Sequence, residues 1–68
     1  MKQDVFLITA TAALKRVNKK STEAKEAYDL LTNPSTKYGE SIFTLFLMYK
    51  EIAELIEEHI EQYQEGVR

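Results

Sequence analysis

Side-chain chemistry in this 68-residue chain would have to begin at His59, its single histidine, because the chain has no cysteine. A general base or a metal ligand on a helix needs a carboxylate or a second imidazole three or four positions away, where side chains share a face. Leu55 and Ile56 precede His59 at those distances, and Gln62 and Tyr63 come after it. That excludes the Glu-x-x-His di-iron pattern and the His-Glu-x-x-His zinc pattern. Without cysteine there is no thiolate nucleophile, no thiolate zinc site and no disulfide framework. Gly39 and Gly66 stand alone, so no glycine-rich phosphate loop exists. The sequence predicts a non-enzyme that holds no cofactor and no metal. His59 is expected in a packed interface, hydrogen-bonded to a partner tyrosine or to water.

Charge offers two further sites. Lys15, Arg16, Lys19 and Lys20, with Lys25 close behind, form a basic cluster suited to phosphate contacts, and a turn at Lys19 to Ser21 would give a helix-turn-helix. Against this, the helix after that turn begins Thr22-Glu23-Ala24-Lys25-Glu26, and its acidic residues suit a phosphate-lined groove poorly. The chain is also acidic as a whole, with nine Lys+Arg against eleven Asp+Glu and a pI near 5.3. Nucleic-acid binding is therefore the alternative reading. The second site is the stripe Glu54, Glu58, Glu61 and Glu65, a solvated edge or a surface for a basic protein partner.

These side chains need elements to carry them, and the pattern is helical throughout. Asp4 is a candidate N-cap for a first helix over about residues 4–18, with Phe6, Ala10, Ala13 and Val17 on one face. The run Asn18-Lys19-Lys20-Ser21-Thr22 reads as a C-terminus and then a new cap, giving a second helix over about 22–32. Asn33-Pro34 ends that helix, with Asn33 able to cap the next one. A break or bend at Tyr38-Gly39 then precedes one long helix over about 40–65.

The long helix carries the strongest periodicity. Tyr38, Ile42, Leu45, Tyr49, Ile52, Ile56, His59 and Tyr63 alternate in spacings of four and three, the repeat of a helix–helix seam. Phe46, Ala53 and Ile60 flank it on one side and Met48 and Leu55 on the other, a stripe wider than two short helices can cover. A chain this short also buries only about 60% of its unfolded surface by itself. The expected solution is a second copy: an all-α single domain over residues 1–68, a helical hairpin plus one long C-terminal helix, assembling as a homodimeric helical bundle. Its expected dimer interface is Ile42, Leu45, Tyr49, Ile52, Ile56, His59, Ile60 and Tyr63.

Targeting signals are weak. Lys2, the apolar Val5 to Ile8 and Ala10-Thr11-Ala12 imitate a signal peptide, but the apolar run is too short and Asp4 interrupts the basic region. The apolar stretch from Ile42 to Tyr49 is far below the roughly 20 residues that span a bilayer. The chain reads as a complete small reading frame of bacterial or phage type, cytoplasmic and without membrane contact. Its expected function is regulatory, an adaptor or inhibitor acting by protein–protein binding as a helical homodimer. Glu54, Glu58, Glu61 and Glu65 are its expected partner-binding edge.

Overall fold

The computed structural model describes residues 4–66, and they form two helices: α1, Val5–Asp29, and α2, Lys37–Gly66. Lys2, the basic start of the signal-like stretch, lies outside the described residues. The two helices pack side by side as a hairpin, and the described residues contain no strand.

The first departure from expectation is that α1 does not break between Asn18 and Thr22 but runs through as one helix of 25 residues. Residues 4–18 and 22–32 are thus not separate helices. None of Asn18, Lys19, Lys20, Ser21 or Thr22 is a glycine or proline, and their propensity cost is a few tenths of a kcal/mol each. Tertiary packing overrides a penalty of that size. The inward face reads Leu7, Ala10, Leu14, Val17, Ser21, Ala24 and Tyr28, and its alternating three-and-four spacing continues across the expected break. Ser21 lies on that face, so its cap chemistry goes unused. Asp4 caps α1 as expected, its carboxylate accepting from the Leu7 N–H at 3.1 Å.

The connection is a short polar turn. Asn33 Oδ1 accepts from the Ser35 N–H at 3.2 Å, and Thr36 Oγ1 accepts from the Gly39 N–H at 3.1 Å. Thr36 is therefore the cap of α2, in place of Asn33, and the helix starts at Lys37 and passes straight through Gly39. Gly39 is buried because the turn folds back over it. A Cβ there would sit 2.8 Å from the Pro34 carbonyl carbon and closer still to its oxygen. The expected break at Tyr38-Gly39 is replaced by a close approach that only glycine permits.

Along the seam, α2 presents Gly39, Ile42, Phe46, Tyr49, Ala53, Ile56, Ile60 and Tyr63, again at alternating three-and-four spacing. Among the described residues, the only buried hydrophobic side chains are Ala24 and Ala53, at 8% and 5% exposure, and no large side chain is fully buried. The hairpin measures 53 × 18 × 12 Å, so it is one helix thick. Its radius of gyration is 15.8 Å, against about 11 Å for a compact chain of this length.

Candidate protein-binding face

The long apolar stripe of α2 divides between two uses. Ile42, Tyr49, Ile56, Ile60 and Tyr63, expected at a dimer interface, are half-buried against α1 of their own chain. Leu45, Ile52 and His59 point outward. The seam used within the chain is the one containing Gly39 and Ala53, with Ala24 the buried residue of α1 and Pro34 of the turn covering Gly39. The larger side chains one step around the helix are left outside.

Those side chains form one continuous face. Met48 is 55% exposed, Leu55 54% and Ile52 41%, on the same side of the hairpin as Phe6, Thr9 and Ala13 of α1. Between the helices, this face is creased by a groove of about 340 Å³ lined by Phe6, Ala10, Ala13, Ile52, Leu55 and His59. Small residues on α1 opposite branched residues on α2 make the groove: Ala10 and Ala13 leave space that Ile52 and Leu55 do not fill. Exposed apolar area this continuous makes the face a candidate interaction surface.

The ends of the hairpin are held by aromatic contacts. At the chain ends, the Tyr63 hydroxyl donates to Asp4 Oδ2 at 2.8 Å and the Tyr63 ring lies 4.4 Å from that of Phe6. The Leu7 N–H, helped by the Tyr63 hydroxyl, holds the Asp4 carboxyl below its ordinary range, and the hydrogen bond to that carboxylate raises Tyr63 above the usual phenol value. The His59 ring lies 6.5 Å from that of Phe6, tilted by 46°, at the lip of the groove. At the turn, Tyr28 meets Phe43 at 5.2 Å, and Lys50 sits over the Phe46 ring at 5.8 Å. Sequence reasoning did not single out Phe6 and Ala13 as partners of His59 and Ile52. Their spacing fitted an inward face, and only the register of α1 on α2 turns them to the groove.

The charged sites are separate surfaces. Glu54, Glu58, Glu61 and Glu65 are exposed along the outer edge of α2, and none forms an ion pair with a described residue. Arg16, Lys19 and Lys20 line a shallow hollow with Glu23, which Lys20 meets at 4.0 Å, and Lys15 lies around the helix beside Leu7, Ile8 and Thr11. Lys25 is paired with Asp29 at 2.8 Å. The helix-turn-helix is absent, because Lys19 to Ser21 are mid-helix. Among the described residues, no cluster of three or more potential metal ligands occurs, and no helix is long and apolar enough to cross a membrane. No protein-family model matches the chain, and neither a curated protein nor a solved structure matches it.

Proposed function

We propose that this protein is a non-catalytic regulator of the adaptor or inhibitor kind, working in the cytoplasm by protein–protein binding as a helical homodimer. The observation that carries this reading is a layer one helix thick with a broad apolar face. Folded domains are built of at least two packed layers. A compact chain of 7.9 kDa exposes about 4400 Å², whereas this one exposes 5728 Å². The surplus of about 1300 Å² exceeds the roughly 800 Å² that each partner contributes to a standard interface. A second hairpin laid on the face of Phe6, Ala13, Met48, Ile52 and Leu55 supplies the missing layer and makes a four-helix bundle. The outer edge Glu54, Glu58, Glu61 and Glu65 then stays free to meet a basic surface on the regulated protein.

Sedimentation equilibrium at micromolar concentration tests the assembly. The expected mass is twice 7.9 kDa, falling to one chain or giving way to unfolding for Ile52→Asp, while Glu58→Gln keeps the dimer. A wild-type chain that stays folded and monomeric would refute the proposal.

A further inference from the structure

We infer that the two copies pack with their turns at the same end, so that α1 of each lies on α2 of the other; this rests on the homodimer proposed above and fixes its arrangement. A two-fold axis can join two apolar faces in two ways. Running along the helices, it keeps both turns at one end and sets α1 against the other copy's α2. Running across them, it sends the turns to opposite ends and sets α1 on α1 and α2 on α2.

Charge separates the two. Helix α1 holds five basic and three acidic residues, a net of +2, and α2 holds two basic and seven acidic, a net of −5. Packed helices lie about 8–10 Å apart, about one Debye length at physiological salt, so neighbouring helices still feel part of each other's charge. The crosswise axis sets α2 on α2, −5 against −5. Centred for greatest overlap, it also gathers Arg16 and Lys20 of both copies at the axis. The lengthwise axis gives every helix neighbours of opposite sign, inside its own chain and across the interface.

The register within the hairpin makes this specific. Asp4 bonded to Tyr63 and Tyr28 packed against Phe43 fix the level of α1 on α2, and the helical turn from Arg16 to Lys20 falls level with Glu51. In one hairpin these groups are on opposite outer edges. With the turns together, Arg16 and Lys19 of one copy come beside Glu51 of the other, and the stems of Arg16 and Lys20 lie over its Leu45 and Met48. The occupant of the apolar face is thus a second copy whose charge pattern matches the first only in this orientation.

The chain has no cysteine, so single spin labels can be placed without background. Ser35→Cys puts a nitroxide in the exposed turn, and Glu65→Cys puts one on the outer edge near the other end. Pulsed dipolar spectroscopy on each labelled dimer, with its mass checked by sedimentation, reads the distance between copies. With turns together, both sites are expected to give about 20–40 Å, the width of a bundle of helices 8–10 Å apart plus the label arms. Distances for both sites near the 53 Å length of the hairpin, in a sample of dimer mass, would overturn the orientation and leave the dimer standing. No interspin distance together with a single-chain mass would overturn the dimer as well.

Discussion

Replacing Gly39 by alanine sets two effects of known size against each other. In an open helix interior, Gly→Ala stabilises by about 1 kcal/mol, because glycine leaves more backbone freedom in the unfolded chain. Gly39 is not open. Its added methyl would meet the Pro34 carbonyl group, with the carbonyl carbon at 2.8 Å and the α-carbon at 3.0 Å. Those atoms are backbone, locked by the proline ring and by the Asn33 to Ser35 hydrogen bond, so they cannot swing aside as a side chain would. Forcing a methyl into packed surroundings costs about 1–3 kcal/mol, and the rigid neighbour argues for the upper part of that range. The net expectation is a loss of about 1–2 kcal/mol, or about 4–16 °C in Tm for a domain of this size. Gly66 is the internal control, since nothing lies within 4 Å of a Cβ there and alanine should be neutral or slightly stabilising. Urea and thermal melts of both variants, at one fixed protein concentration because any self-association makes Tm concentration-dependent, measure the difference. A Gly39→Ala protein as stable as wild type or more so would show that the turn does not press on the helix.

Two further outcomes are expected. The Leu7 N–H and, after it, the Tyr63 hydroxyl lower the Asp4 pKa, so their contribution is present above the unfolded carboxyl value and is lost as pH falls through the folded one; the bond to Asp4 raises the Tyr63 pKa, so that contribution is present below the unfolded phenol value and is lost as pH rises through the folded one. Tyr63→Phe should flatten the alkaline limb of a stability–pH profile and weaken the acid one, and an unchanged profile would show that the bond does not matter. If α1 packs on α2 of the other copy, dimer dissociation should strengthen as salt rises from about 50 mM to about 500 mM; tighter dimers at high salt would indicate like-charged helices in contact.

How much of this was legible in the sequence can be judged residue by residue. The helical class and the cap at Asp4 were readable, because apolar periodicity and cap chemistry are local signals. The continuity of α1 was not. Asn18 to Thr22 carries every local mark of a helix end, and what overrides those marks is burial of a face whose partner lies more than twenty residues away. Gly39 misled in the opposite sense: in isolation a glycine suggests a break, but here its lack of a side chain lets Pro34 close the turn. The stripe on α2 was legible as a stripe, while its division was not. Two neighbouring seams, one through Ala53 and one through Ile52, fit the same spacing, and choosing between them requires knowing the register and rotation of α1 on α2.

That choice bears on why the large apolar residues are outside. A hairpin meant to stand alone would put Leu45, Met48, Ile52 and Leu55 in its seam, where each buried side chain contributes about 1.5–3 kcal/mol. The seam of this one is mixed: Leu14, Val17, Ile42, Phe46, Ile56 and Ile60 are half-buried in it, and only the small Ala24, Gly39 and Ala53 are buried. The intrachain seam sets the shape, and the outer face can gain burial only from a cover outside the hairpin. If that cover is a second copy, folding and association cannot be separated, and a substitution on the outer face such as Ile52→Asp should cost as much stability as one in the core.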